Sequence, residues 1–145
     1  MSQVELGTSV GYLLKQASSA LHNVMDAVLR PMGMTITEYS CLELLAQRPG
    51  MSNSELARGA FVSRQSMNVL LQALERQGFV SRPEQAPAGR ILPTELTPLG
   101  RDRLTAASAA VRSVEDRMKG GLDAAQQAAL RELLAACVTA LTPPG

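Results

Sequence analysis

The apolar residues of this 145-residue chain change their spacing once and then change back. Up to Gly78 they recur at steps of three and four, as on helices with one buried stripe. Between Phe79 and Leu96 that period is lost. Phe79-Val80-Ser81-Arg82 reads as a short strand and Pro83 to Gly89 as a Pro/Gly/Ala-rich tip. A second strand returns from Arg90, with Leu92, Thr94 and Leu96 alternating. Pro93 confines it to a sheet edge, because proline has no N–H to give a neighbour. From Thr97-Pro98 onward the helical spacing resumes, so a single β-hairpin is set between two helical blocks.

Start and stop signals divide those blocks. A first helix from roughly Leu6 to Arg30 carries Val10, Leu13, Ala17, Leu21, Val24 and Val28 on one stripe and ends at Pro31 and Gly33. Thr35 with Glu38 reads as a capping box opening a helix through Cys41, Leu42, Leu44 and Leu45 to Pro49-Gly50. Ser52 with Glu55 reads as a second box, opening a short helix over Leu56 and Ala57. After a brief turn, Ser63 caps a third helix with Met67, Leu70, Leu71 and Leu74 inward and Gly78 at its end. Beyond the hairpin, Thr97-Pro98 opens a helix carrying Leu104, Ala107, Val111, Val114 and Met118, broken at Gly120-Gly121. A last helix from about Asp123 carries Leu130, Leu134, Cys137 and Leu141.

Three helices and a hairpin make a winged helix-turn-helix, so the expected fold is mainly α with a small β-hairpin wing. A single domain over 1–145 is expected, with its DNA-binding part at 34–100 and dimerisation helices at 5–30 and 101–142. The outer helices carry seams, Leu6 and Val10 at one end and Leu130, Leu134 and Leu141 at the other. These are too narrow to bury themselves in a chain this small, so a second copy is the expected cover.

In a helix-turn-helix the second helix presents its first turns to base edges in the major groove. Here those turns hold Ser63, Arg64, Gln65, Ser66 and Asn68, all hydrogen-bonding and all off the apolar stripe. Arginine suits guanine O6 and N7, and glutamine or asparagine suits adenine N6 and N7. Ser52, Asn53 and Ser54 open a helix whose free N–H groups offer a phosphate seat. Arg82 and Arg90 flank the hairpin tip, where a guanidinium can enter a narrow minor groove. Charge distribution agrees: from Arg48 to Arg90 six arginines accompany three glutamates, while the rest of the chain is net acidic.

The enzyme classes find little here. One histidine, two cysteines far apart and no Gly-rich phosphate loop leave no catalytic, metal or cofactor site to assign. No signal peptide is readable at the amino end and no 18-residue apolar run occurs, so no membrane association and a cytoplasmic location are expected.

The runs Ser54-Glu55-Leu56-Ala57, Val62-Ser63-Arg64-Gln65-Ser66-Met67-Asn68, Leu74-Glu75-Arg76-Gln77-Gly78-Phe79-Val80 and Leu96-Thr97-Pro98-Leu99-Gly100-Arg101 together resemble the MarR family, as does Gly33-Met34-Thr35. The resemblance spans nearly the whole chain. It implies a homodimeric regulator on a pseudo-palindromic double-stranded operator, repressing genes until a small aromatic or phenolic compound binds. The family's pockets point to Tyr12, Gln16, Ser19, His22 and Tyr39 as effector contacts. Two departures stand out. The family's wing Asp-x-Arg is Ala88-Gly89-Arg90 here, so the arginine lacks its orienting carboxylate. A frequent recognition-helix arginine is replaced by Val69, which has only a thymine methyl to touch. The thiol of the family's redox-sensing branch is absent from Val10-Gly11-Tyr12, so peroxide control is not expected. The competing reading is a winged-helix protein–protein adaptor without sequence-specific DNA binding.

Overall fold

The computed structural model describes residues 3–82 and 94–144. A 3-10 turn at Leu6–Thr8 precedes α1 (Val10–Leu29), and a second at Arg30–Met32 leads to α2 (Ile36–Gln47). Then follow α3 (Asn53–Gly59), α4 (Arg64–Arg76), β1 (Val80–Ser81), β2 (Glu95–Leu96), α5 (Pro98–Met118) and α6 (Ala124–Leu141). The strands pair antiparallel, Val80 opposite Leu96 and Ser81 opposite Glu95. The architecture is the expected one, mainly helical with a two-stranded hairpin.

Caps set most boundaries. Thr35 and Glu38 close their box in both directions, as do Ser52 and Glu55. Ser63 and Thr97 accept the N–H groups of Ser66 and Gly100. A third box, Asp123 with Gln126, opens α6. Two expectations need correction. The first helix does not run from Leu6: the Ser9 hydroxyl accepts the Tyr12 N–H and starts α1 at Val10, leaving Leu6 in a separate turn. The first strand is shorter than 79–82, Thr94 lies outside the second, and the expected start of that second strand at 90–93 lies outside the described residues.

Leu29, Cys41, Leu42, Leu56, Met67, Leu71 and Leu74 are fully buried, joined by Val80, Leu104 and Ala107. The core thus lies among the end of α1, α2, α3, α4 and the first half of α5. Burying each large apolar side chain contributes about 1.5–3 kcal/mol, so this cluster holds the helix-turn-helix rigid. The single stripe expected along α1 is divided. Val24 and Val28 are half-buried, whereas Val10 and Leu13 face outward. No residue of α6 is buried.

A compact junction joins the end of α4 to the start of α5. Gly78 (φ 82°) takes the left-handed conformation, with the Phe79 N–H donating to the Leu74 carbonyl and the Gly78 N–H to that of Glu75. The Thr97 hydroxyl donates to the Gly78 carbonyl at 2.6 Å. Arg103 donates to the Met32 carbonyl at 2.5 Å and stands 5.3 Å from the Phe79 ring centre. Recognition helix, hairpin root and α1–α2 connection are therefore fixed on α5 together.

Candidate nucleic-acid interface

α3 and α4 form the helix-turn-helix. The turn closes α3 with the Val62 N–H on the Ala57 carbonyl at 3.0 Å and the Phe61 N–H on that of Arg58 at 3.2 Å. Ser63 then starts α4, and Met67, Leu71 and Leu74 press it into the core. Such anchoring leaves the opposite face outward.

Ser63, Arg64, Gln65 and Ser66 are all exposed on the first turn of α4, as the sequence led us to expect. The two serines are partly engaged: Ser63 Oγ donates to Ser66 Oγ at 2.9 Å and accepts the Ser66 N–H. Arg64 and Gln65 make no side-chain hydrogen bond or ion pair among the described residues, so their donors face solvent.

Asn68 is placed differently from the expectation. It is half-buried, and its Oδ1 accepts from Asn53 Nδ2 at 2.6 Å. Helix α4 turns position 68 toward α3, so both asparagines are tied to each other in the free chain. The outward row consists of Gln65, Val69, Gln72 and Arg76, with all four exposed. Gln72 and Arg76 escaped the sequence reading, which stopped at the first turns. The steps of three from Val69 to Gln72 and four from Gln72 to Arg76 were the available signal.

The start of α3 is less open than a bare helix end. Ser52 uses both its amide and its hydroxyl on Glu55. Hydrogen bonding from the Ser52 backbone and then its hydroxyl holds the Glu55 carboxyl below its ordinary range, so a negative charge stands there. The first amides of the helix, on Asn53 and Ser54, remain as donors without an intrahelical acceptor. Arg82 is half-buried at the end of β1, and Arg90 lies outside the described residues.

The five expected effector residues do not converge within one chain. Tyr12 and Gln16 line a hollow with the 3-10 turn at Leu6–Thr8. Tyr39 borders a polar cavity of about 460 Å³ between α2 and α5, with Glu43, Gln47, Ser108 and Arg112. Its hydroxyl donates to Glu43 Oε2 at 2.5 Å, and burial, then Glu43, pushes its pKa up to about 12. Ser19 and His22 are exposed on α1. A separate cleft of about 230 Å³ opens between α1 and α5, walled by Ala17, Ala20, Leu21, Val24, Val114 and Met118. Its single charged neighbour is Arg117. The separation arises because the cleft lies on a different face of α1 from Tyr12, Gln16 and Ser19.

Cys41 is buried, and that burial pushes its thiol up to about 12. Cys137 is exposed on α6. No described helix is long and apolar enough to cross a membrane.

A model of the MarR family matches residues 32–91. The HTH-type transcriptional repressor Rv2887 of Mycobacterium tuberculosis is 42% identical over 125 residues, covering 86% of this chain and 90% of its own length. The crystal structure of that MarR family protein in complex with DNA is similar at a TM-score of 0.74 and 38% identity, covering 90% of this chain and 98% of the other. Its complex with salicylic acid matches at a TM-score of 0.75 and 40% identity, covering 90% and 96%.

Proposed function

The chain belongs to the MarR family, and from that membership we propose that it is a homodimeric, ligand-responsive transcriptional repressor of double-stranded DNA. The observation that carries this reading is the first turn of α4, where Arg64 and Gln65 stand exposed on a helix whose other face is locked into the core. A relative 42% identical is named a repressor, and its structure is solved with DNA. Arg64 and Gln65 are the base readers, with Ser63 and Ser66 beside them. Ser52, Asn53 and Ser54 contribute the first amides of α3 to a phosphate, and Arg82 and Arg90 serve the wing in the minor groove.

Residues 34–100 are the DNA-binding part, and 5–30 with 101–142 hold two copies together. The exposed apolar side chains Leu6, Val10, Leu130, Leu134 and Leu141 support that division. The effector is a small aromatic acid, a class to which the salicylic acid in the relative's complex belongs. The α1–α5 cleft suits it: the ring rests on alanine and leucine, and the carboxylate meets Arg117. The protein acts on DNA in the cytoplasm and has no catalytic role.

The test is selection of bound duplexes from a random pool at about 150 mM salt, with Arg64→Ala alongside. An inverted repeat with half-site centres about 10 bp apart, lost in the variant, is the expected result. Salicylate should then release the selected duplex. Recovery of nothing above background would remove the regulator reading and favour a protein–protein adaptor.

A further inference from the structure

Exposed large apolar side chains on the described residues fall into two groups. Most lie on the first turns, α1, α5 and α6, and apart from Leu99 at the start of α5 these fall where a second copy is expected. Between α1 and α5 there are only two, Phe61 and Val69, at 94% and 60% exposure. Both belong to the helix-turn-helix.

Phe61 is the odder of the two. It is the C′ residue of a cap built like that of α4, in which a left-handed residue closes the helix with two N–H···O bonds. In α4 that residue is Gly78. The other left-handed positions among the described residues, at 33 and 50, are also glycine. Of the described residues, only Phe61 (φ 60°) places a bulky side chain in this conformation. Glycine would fit without steric cost, whereas a residue with a Cβ is strained there. The ring regains nothing inside the chain, because almost all of it faces solvent. Strain kept without internal compensation points to a contact outside the molecule.

Position identifies that contact. Phe61 stands two residues before Ser63, the cap of the recognition helix, and Val69 occupies the middle of that helix's outward row. A surface otherwise composed of Arg64, Gln65, Gln72 and Arg76 faces base edges, where the one large apolar feature is the thymine 5-methyl group. We infer that Phe61 and Val69 read thymine methyl groups in each half-site. The inference rests on the DNA-binding function proposed above.

The experiment compares the selected operator with duplexes in which half-site thymines are replaced one pair at a time by uracil, which pairs identically but lacks the methyl. Wild-type protein should lose about fourfold per contacted methyl, the factor equivalent to about 0.8 kcal/mol of buried apolar carbon. Phe61→Gly should retain or raise the unfolding midpoint while binding the thymine operator more weakly. At its own position it should no longer distinguish thymine from uracil. Val69→Ala should lose discrimination at a different position. Equal affinity of the wild type for thymine and uracil operators would overturn the inference while leaving DNA binding intact. A lowered midpoint for Phe61→Gly would overturn the assignment of Phe61, since the ring would then be packing within the chain. Failure of the wild type to bind any duplex would instead remove the regulator reading, and this inference with it.

Discussion

Asn53 Nδ2 donates to Asn68 Oδ1 across 2.6 Å, joining the first turn of α3 to the second turn of α4. The bond crosses the two helices of the DNA-binding unit, and both residues are half-buried. It therefore helps fix the angle between α3 and α4, besides any contact the asparagines make themselves. Alanine at either position should lower stability by about 0.5–1.5 kcal/mol in urea unfolding without DNA. The double variant should cost less than the two single costs added, because the shared bond can be lost only once. Strict additivity would mean that the pair is not coupled in solution.

Gly100 packs against the hairpin root so closely that an added Cβ would run into the Phe79 carbonyl oxygen. Glycine to alanine within a helix ordinarily stabilises by about 1 kcal/mol. Here the sign should reverse. Because the obstacle is backbone, α5 or the root must shift, and Gly100→Ala should cost about 1–3 kcal/mol as an overpacked site. The displacement also disturbs the Thr97 bond to Gly78, so operator affinity should fall with it. A thermal midpoint equal to or above wild type would refute the close approach.

These two contacts show where the sequence was legible. Helix starts were readable because a cap is local: Thr35 needs only Glu38, and Ser52 only Glu55. The Leu-Thr-x-x-Gly and Gly-Phe-Val runs were recognisable as motifs, but their meaning required the fold, which brings the Thr97 hydroxyl onto the Gly78 carbonyl 19 residues away. Asn68 read as a base contact because spacing along α4 cannot show that α3 crosses beside it. The α1–α5 cleft was hidden for the same reason, since its walls are alanine, leucine and valine from helices about 90 residues apart in the chain. Arg90 could be singled out from sequence, but it falls outside the described residues.

Cys41 supplies a prediction at high pH. Its unfolded thiol ionises near 9.0, whereas burial raises the folded value to about 12. Between those values the native state binds the extra proton, so stability contributed by the neutral thiol is present below pH 9 and is lost as pH rises. The loss approaches about 1.4 kcal/mol per pH unit. Tyr39, also raised to about 12, adds a slope of the same sign. Comparison with Cys41→Ala cancels the tyrosine contribution. The stability advantage of wild type over that variant should therefore shrink steadily in urea unfolding from pH 9 to 11. A constant difference would contradict the burial. In the folded protein at pH 8, a thiol reagent should reach Cys41 only on unfolding.

Helix α6 is left uncovered within one chain. It has 18 residues and none is buried, although it carries Leu130, Leu133, Leu134, Val138 and Leu141. The apolar face is wider than the heptad steps implied, since Leu133 and Val138 join it. Near the other end of the chain, Leu6, Val10 and Leu13 are equally uncovered. An isolated helix of this length is marginal in water unless one face is packed, so the face needs a partner. In a twofold dimer each substitution occurs twice, and Leu134→Glu would introduce two carboxylates into the seam. Desolvating an unpaired carboxylate costs several kcal/mol, enough to oppose association at micromolar concentration. Sedimentation equilibrium should show wild-type dimers and Leu134→Glu monomers. Circular dichroism should remain largely helical, because the buried core lies elsewhere. Operator affinity should collapse toward that of one half-site, since two recognition helices are no longer held on one duplex. A dimer that survives the substitution unchanged would place the seam on another surface.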